Sequence, residues 1–148
     1  MTVGEVCTYL QGRAPFETAE EYDNVGLLVG SPDMPACRIL VTLDITPAAV
    51  RAAEEAGADL IVSHHPVIFS PLKRLDTGSI PYRLAGAGIA AICVHTNLDR
   101  AAGGVGDLLA VRLELDDIQT AADGICRIEN LPNISDVSMM IRVLSELG

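Results

Sequence analysis

The chain alternates short aliphatic runs with segments whose apolar positions recur at helical spacing. Three aliphatic, partly β-branched runs predict buried strands: 38–43, 59–63 and 89–94. Between the first two runs, Thr46 caps a predicted helix that has Pro47 in its first turn and Gly57 at its end. A second predicted helix, opened by Ser79, precedes the third strand. Two successive β-α-β units favour right-handed crossovers and parallel strands.

Further predicted elements flank these units on both sides. Thr2 and Glu5 form a capping-box pattern ahead of an amphipathic helix. The other predicted elements are a short strand ending at Gly30, a helix near 105–112, a strand at 124–128 and an amphipathic helix capped by Ser135. The pattern therefore predicts an α/β fold, with a mostly parallel sheet that carries helices on both faces.

Composition agrees with this fold and limits its size. Hydrophobic residues make up 49% of the chain and aromatic residues 3%, and this aliphatic bias suits a sheet that is buried on both faces. The 148 residues are enough for one domain, and too few for two at the usual ~100–200 residues each. We therefore predict a single α/β domain over residues 1–148.

Charge and targeting signals exclude several classes of partner. The net charge is −10 and the pI is near 4.5, whereas nucleic-acid binding needs a concentrated basic surface. The N-terminus has no signal-peptide pattern, and no run approaches the ~20 apolar residues of a membrane span. The four cysteines form no C-x-x-C pair and no disulfide framework. We expect a reduced, cytoplasmic protein with no nucleic-acid partner and no membrane partner.

All three histidines of the chain lie where predicted strands end. His64 and His65 follow the second predicted strand, and His95 follows the third. Asp44 ends the first strand, and Asp99 lies four residues beyond His95. Ligands of open α/β sheets bind at this edge, where the carboxyl ends of the strands meet. Imidazole and carboxylate groups suit zinc, iron, manganese or nickel better than calcium, so the positions predict a divalent-metal site with hydrolysis as its natural chemistry.

Ordinary structural roles are open for each of these residues. The adjacent histidines can form a surface or hydrogen-bonded pair without a metal. Asp99 can cap a turn through its own backbone, and His95 can donate to a backbone carbonyl or support another ligand. Asp44 can cap the helix that begins near Thr46. Gly103-Gly104 can cradle a phosphate before a helix, but a tight turn is the favoured interpretation.

Several motifs together resemble one known family. They are YDNVGLLVG at 22–30, VTLDIT at 41–46, SHHPVIF at 63–69, and HTNLD at 95–99 with GGV at 103–105. In this order, from about Tyr22 to Leu115, they resemble the NIF-three-like family. Its members are often labelled GTP cyclohydrolase I type 2 homologues or dinuclear metal centre proteins, a label that does not fix the substrate.

The resemblance implies a set of expectations about the site. It implies the family's α/β fold, two metal ions in a complete subunit, and a metal-dependent hydrolase acting on a small-molecule substrate. His64, His65 and Asp99 match metal ligands of the family, whereas His95 matches a supporting position at the edge of the site. Asp44 and Asn97 are expected to support the site or face the substrate. Many family members assemble as toroidal hexamers, so we expect a homo-oligomer.

One departure from the family pattern limits these expectations. The family's remaining ligands are a histidine and a glutamate four residues later, and no histidine follows His95 in this chain. The resemblance therefore implies an N-terminal portion that lacks the C-terminal half, with an exposed apolar surface where that half would pack. The leading hypothesis is a metal-binding hydrolase of this family, incomplete in this chain. The alternatives are a catalytically inert oligomerisation or interaction domain, and one half of a split metalloenzyme.

Overall fold

Two consecutive β-α-β units build the centre of the fold, as the sequence predicts. The computed structural model describes residues 1–115, so the strand predicted at 124–128 and the helix predicted from Ser135 lie outside the described residues. The strands are β1 (Gly26–Val29), β2 (Ile39–Thr42), β3 (Leu60–Ser63) and β4 (Ala90–Cys93). The helices are α1 (Val3–Arg13), α2 (Pro47–Ala56), α3 (Ile80–Ala87), α4 (Thr96–Arg100) and α5 (Val105–Arg112). A single turn of 3-10 helix occupies Phe16–Thr18.

The sheet is mostly parallel, with the strand order β1-β4-β3-β2. β2, β3 and β4 run parallel, with Thr42 beside Ser63 and Ser63 beside Cys93 at their carboxyl ends. β1 pairs antiparallel with β4 and forms one edge. This register confirms the predicted convergence, because the residues that follow the three parallel strands emerge at the same edge of the sheet.

Helices cover both faces of the sheet, as predicted. On one face, Val50 of α2 and Leu84 of α3 pack with Ile61 of β3 in one apolar cluster. On the other face, Val3 of α1 packs with Ile92 of β4 in a second cluster. Each of these side chains is buried. The alternation of β3 and β4 residues between the two clusters explains why both strands are aliphatic throughout.

The predicted caps fix the helix ends. Thr46 accepts a hydrogen bond from the backbone N–H of Ala49 at the start of α2, and Gly57 ends that helix in the left-handed conformation at φ +63°. Ser79 caps α3 in the same way. Thr2 and Glu5 form the complete capping box of α1. These local signals define where each helix starts and stops.

The segment 95–104 differs from the prediction. The sequence predicts no helix between His95 and Gly104, but α4 begins directly after His95 and has no side-chain cap. Gly103 adopts φ +71°, and the backbone N–H of Gly104 donates to the Ala101 carbonyl. The glycine pair therefore forms a tight turn, the interpretation favoured from the sequence.

Gly104→Ala is expected to destabilise the protein by at least ~1–3 kcal/mol, the usual cost of overpacking. An added Cβ would overlap the carbonyl oxygen of Leu98 and lie 2.7 Å from that of Ala101. Both are backbone atoms, so α4 would have to shift. Gly12→Ala in α1 is the matched control, because no atom lies within 4 Å of its added Cβ, and it should be neutral or stabilising by up to ~1 kcal/mol. Urea denaturation of both variants checks this, and equal stability would contradict it.

The chain divides into two compact units, residues 1–106 and 107–148. The sheet, both apolar clusters and the ends of the strands belong to the first unit. Of the second unit, residues 107–115 are described, and they continue α5 to Arg112. The single domain proposed for 1–148 stays a prediction. Within residues 1–115, no helix combines the length and apolar character needed to cross a lipid bilayer.

Candidate metal centre

The three histidines meet at the carboxyl edge of the parallel strands. His64 and His65 follow β3, and His95 follows β4. One ring nitrogen of each histidine can be chosen so that all three lie within 4.8 Å of one another. The ring centroids are 5.0 to 5.5 Å apart. The predicted convergence of all three histidines is confirmed.

The adjacent histidines share one side because they lie beyond the end of β3. Within a strand, neighbouring side chains would point to opposite faces. Here the backbone N–H groups of His64 and His65 donate to the carbonyls of Thr42 and Leu43, while Pro66 ends the extended segment. The two rings tilt by 50° relative to each other with centroids 5.0 Å apart. Both imidazoles therefore face the same space as His95.

Every histidine has a hydrogen-bond acceptor at its Nδ1 atom. His64 Nδ1 lies 3.0 Å from the Val94 carbonyl oxygen. His65 Nδ1 lies 2.7 Å from Asp44 Oδ1, and His95 Nδ1 lies 2.8 Å from Asp23 Oδ2. Carbonyl and carboxylate oxygens only accept, so each Nδ1 carries the proton and donates it. Each Nε2 of the neutral rings then keeps a free lone pair, which is the form in which histidine binds metal ions.

Asp99 adds a carboxylate to the cluster. Its Oδ1 atom lies 3.6 Å from His64 Nε2, and 41% of its side chain is exposed. It occupies the first turn of α4, one helical turn from His95. The structure thus brings Asp99 to the free nitrogen of His64, on the side of the cluster that remains open to solvent.

Asp44 holds His65 and does not cap α2. Thr46 takes the cap, as described above, so the alternative that Asp44 caps this helix is wrong. The Asp44 side chain is 53% exposed and contacts His65 from the solvent side. The supporting or substrate-facing role expected for Asp44 stays a prediction.

Asn97 lies in the core next to His95. The side chain is fully buried. Its Oδ1 atom accepts from the backbone N–H of His95 at 2.8 Å, and its Nδ2 atom donates to the Ala14 carbonyl at 2.8 Å. Asn97 therefore ties His95 to the end of α1, and its burial excludes contact with a substrate.

Asp23 contacts the histidine cluster, although it is not among the candidate site residues predicted from the sequence. Its side chain has no exposed surface. Burial opposes ionisation of the carboxyl, but hydrogen bonds from Thr96, the Asn24 backbone and His95 outweigh burial and lower the pKa of Asp23. Asp23 lies in the motif at 22–30 that carries part of the family resemblance, so that motif could have pointed to Asp23. Its contact with His95 spans 72 residues of sequence, and no local pattern shows such a pairing.

Cys93 lies beneath the cluster but is not a candidate ligand. Its side chain is fully buried, and its Sγ atom donates to the His64 carbonyl at 3.1 Å. Burial, and then the negative charge of Asp23, raise the pKa of Cys93 to about 12. The thiol is therefore protonated near neutral pH, whereas a metal ligand must be a thiolate. Cys93 is therefore a buried structural residue of the core.

The donor set of the cluster fits a divalent transition-metal ion. Three imidazole nitrogens with an adjacent carboxylate suit zinc and its neighbours, whereas calcium and magnesium prefer oxygen ligands. The hydrogen bonds at Nδ1 hold the three rings in place, as the partners behind metal-bound histidines commonly do. His64, His65 and His95 could therefore hold a metal ion.

Comparison with known proteins identifies the family. The model of the Duf34/NIF3 (NGG1p interacting factor 3) family matches residues 1–147. The chain belongs to this family. Curated Duf34/NIF3 relatives include the "GTP cyclohydrolase 1 type 2 homolog" of Staphylococcus epidermidis, 40% identical over 121 residues, and that of Lactococcus lactis subsp. lactis, 39% identical over 132 residues. The resemblance noted in the sequence is confirmed.

Solved structures of Duf34/NIF3-like proteins share the fold. The Bacillus cereus protein related to NIF3 is 37% identical, with a TM-score of 0.74 over 79% of this chain and 34% of that one. Reduced HcgD from Methanocaldococcus jannaschii is 31% identical, with a TM-score of 0.76 over 83% of this chain and 51% of that one.

The matches cover only part of each relative. The alignments span 80% of this chain but 33% of the S. epidermidis relative, and 85% of this chain but 51% of the L. lactis relative. The chain therefore spans between a third and a half of the curated relatives that it matches.

Proposed function

We propose that this chain binds a divalent transition-metal ion through the Nε2 atoms of His64, His65 and His95, with Asp99 as a further ligand. The observation that supports this proposal is that all three Nδ1 atoms have hydrogen-bond acceptors. In neutral rings this arrangement leaves each Nε2 atom unprotonated, and one ring nitrogen of each histidine lies within 4.8 Å of the other two. His95, which the family resemblance gave a supporting position, becomes a ligand in this proposal.

Hydrolysis of a small molecule is the activity that we propose for this site. When bound, a divalent ion supplies Lewis-acid polarisation and a water of lowered pKa. Asp99 lies next to His64 Nε2, where its carboxylate would complete the ligand set of the ion. The relatives' name, GTP cyclohydrolase 1 type 2 homolog, makes phosphorylated and nucleotide-like compounds the first class to screen. The chain spans a third to a half of those relatives, and a split enzyme, in which a second polypeptide supplies the family's remaining histidine and glutamate, is the alternative that the screen below tests.

A titration of metal-free protein with Co²⁺, followed by absorption of the bound ion, tests this function. We expect one tightly bound Co²⁺ per chain with the intense d–d bands of a four-coordinate nitrogen-rich site. Zinc should displace the cobalt, whereas an excess of Mg²⁺ should not, because magnesium prefers octahedral oxygen ligands. Absence of bound cobalt, or displacement by magnesium, would contradict the proposal.

A hydrolase screen with the zinc-loaded protein tests the chemistry separately. Asp99→Asn should keep the three histidine ligands and remove the carboxylate charge. We expect turnover to fall by about 100-fold or more, because the ion loses a ligand, and losing a group that only orients a ligand already costs ~10–100-fold. Activity that appears only after mixing with a polypeptide carrying the missing histidine and glutamate would support the split-enzyme alternative. If the protein binds the metal but shows no turnover, either alone or after mixing, then it is a non-catalytic metal-binding domain.

An assembly role is the second candidate function, and an exposed apolar groove favours it. The groove measures about 560 Å³ and lies on the sheet face beside α1. Its lining includes Tyr9, Leu10, Ile39, Val41, Val62 and Leu98.

Val41 at the centre of β2 is 78% exposed, although it is an aliphatic residue of a strand. β2 is also the last strand at its edge of the described sheet. Exposed apolar surface of this kind marks interfaces, so we propose that copies of the chain associate through this groove.

Val41→Glu is expected to shift the protein from an oligomer towards the monomer in solution. The substitution places a carboxylate in an apolar interface, where desolvating it without a partner is costly. Leu75→Glu is the matched control, because Leu75 is also exposed, at 58%, but does not line the groove. Light scattering coupled to size-exclusion chromatography measures the mass. A monomeric parent protein, or an equal response of both variants, would contradict assembly through this face.

A further inference from the structure

We propose that Asp23 is the positioning residue that fixes the orientation and tautomer of His95. This inference rests on the proposed metal site, because it assigns His95 the role of a ligand. The family resemblance gave Asp23 no role, and the assignment comes from the hydrogen bonds around its carboxylate. Asp23 contacts no open surface and would act on the metal only through His95.

Four donors converge on the Asp23 carboxylate. Oδ2 accepts from His95 Nδ1 at 2.8 Å, from the Thr96 backbone N–H at 3.2 Å and from Thr96 Oγ1 at 2.7 Å. Oδ1 accepts from the backbone N–H of Asn24 at 2.8 Å. The side chain has no exposed surface, so water does not compete for these positions. The carboxylate is therefore held in one place and holds the His95 ring in turn.

Thr96 connects this carboxylate to the segment before it. Its Oγ1 atom donates to Asp23 and accepts from the backbone N–H of Glu20 at 3.0 Å. Arg100, one turn later on α4, pairs with Glu20 and also donates to the Thr18 carbonyl. The segment 18–24 is thereby fixed to the start of α4, next to His95. The Asp23 carboxylate is thus positioned by two parts of the chain at once.

The acceptors of the other two histidines differ in kind. His64 donates to the Val94 carbonyl, a backbone group that no substitution removes. His65 donates to Asp44, which is 53% exposed, so water can replace that carboxylate. Among these three acceptors, Asp23 is the one that is both ionic and buried. His95 is therefore the imidazole whose orientation should depend most on a single side chain.

Asparagine cannot reproduce the Asp23 contacts. All four partners are donors, whereas an amide offers one acceptor oxygen and one NH₂ group. In one orientation the NH₂ group faces the three donors at the Oδ2 position. In the other it faces the Asn24 N–H. In either orientation, an NH₂ donor of the asparagine faces at least one other donor, so hydrogen bonds are lost. The hydrogen bonding that fixes the His95 ring is therefore weaker.

Two measurements on Asp23→Asn test this proposal, with Asp44→Asn as the matched control. The ¹⁵N shifts of the neutral histidine rings in metal-free protein report which nitrogen carries the proton. We expect His95 to be protonated at Nδ1 in the parent protein and to show mixed tautomers in Asp23→Asn. Zinc affinity should fall by ~10–100-fold in Asp23→Asn, the usual effect of losing a partner behind a ligand, and less in Asp44→Asn.

The outcomes separate this inference from the proposed function. If the parent protein binds no zinc but the His95 tautomer changes in Asp23→Asn, the metal function fails while the orienting role stands. An unchanged tautomer with an unchanged zinc affinity in folded Asp23→Asn would overturn the inference. If that variant does not fold, Thr96→Val removes one donor to Asp23 and should shift the His95 tautomer in the same direction, whereas Thr96→Ser should not. Identical spectra for both Thr96 variants would likewise overturn it.

Discussion

His64→Asn is expected to lower the affinity for Zn²⁺ by more than about 100-fold while the protein stays folded. Losing a group that merely orients a ligand costs ~10–100-fold, so losing the ligand itself should cost more. The Asn side-chain amide can take the place of the His64 Nδ1–H and donate to the Val94 carbonyl, which His64 contacts at 3.0 Å. The substitution therefore removes the Nε2 atom and keeps the hydrogen bond that anchors the side chain.

Competition with a chromophoric chelator measures this affinity, and urea denaturation checks the fold. The chain carries a net charge of −10, and its exposed carboxylates attract cations weakly. Glu54→Gln removes one such carboxylate and is therefore the matched control for non-specific zinc binding. Glu54 pairs with Arg83 on the surface of α2, outside the histidine cluster, so its variant should bind zinc as the parent does. Equal zinc affinities for His64→Asn and the parent would show that the cluster is not the binding site.

Asn97→Leu is expected to destabilise the protein by ~2–6 kcal/mol, because it leaves two buried groups without a partner and each costs ~1–3 kcal/mol. Leucine has a similar size but offers neither a donor nor an acceptor. The His95 N–H and the Ala14 carbonyl, both partners of Asn97, would be left unpaired. The loss should appear as a lower denaturation midpoint with an unchanged slope in urea.

Asn97→Asp distinguishes the lost hydrogen bond from a general packing defect. The carboxylate keeps the acceptor for the His95 N–H but cannot donate to the Ala14 carbonyl, and burying its charge is unfavourable. Protonation restores a donor and removes the charge. Because the folded state then favours the protonated form, the stability of Asn97→Asp relative to the parent should improve as the pH falls below neutrality. A stability difference that does not change with pH would contradict the assigned hydrogen bonds.

Local signals in the sequence predicted most of the fold. Thr46 and Ser79 marked where α2 and α3 begin, because cap residues act within one helical turn. The aliphatic runs identified β2, β3 and β4, and the β-α-β order implied that they are parallel. The same order placed the residues after these strands at one edge. For that reason His64, His65 and His95 could be predicted to converge before any coordinates were known.

Features that depend on distant contacts were not predicted. β1 pairs antiparallel with β4, and nothing within 26–29 specifies that partner. α4 is a five-residue helix without a side-chain cap, so it has no start signal. Asp23 reaches His95 across 72 residues, and its role is set by burial among donors, which a single sequence does not show.

The role of Asp44 was decided by competition between two possible partners. From the sequence, Asp44 was suited equally to capping α2 and to supporting the site. The Thr46 hydroxyl caps the helix, so the Asp44 carboxylate is left to accept from His65. The spacing of the two candidates could not decide between them, because both lie within reach of the helix start.

X-ray absorption at the zinc edge of the zinc-loaded protein tests the central claim most directly. The claim is that the Nε2 atoms of His64, His65 and His95 bind a metal ion. We predict nearest neighbours that include three imidazole nitrogens at ~2.0–2.1 Å, with the outer-shell scattering of intact histidine rings, and no sulfur at ~2.3 Å. A zinc shell made only of oxygen atoms, or one that contains sulfur, would contradict it.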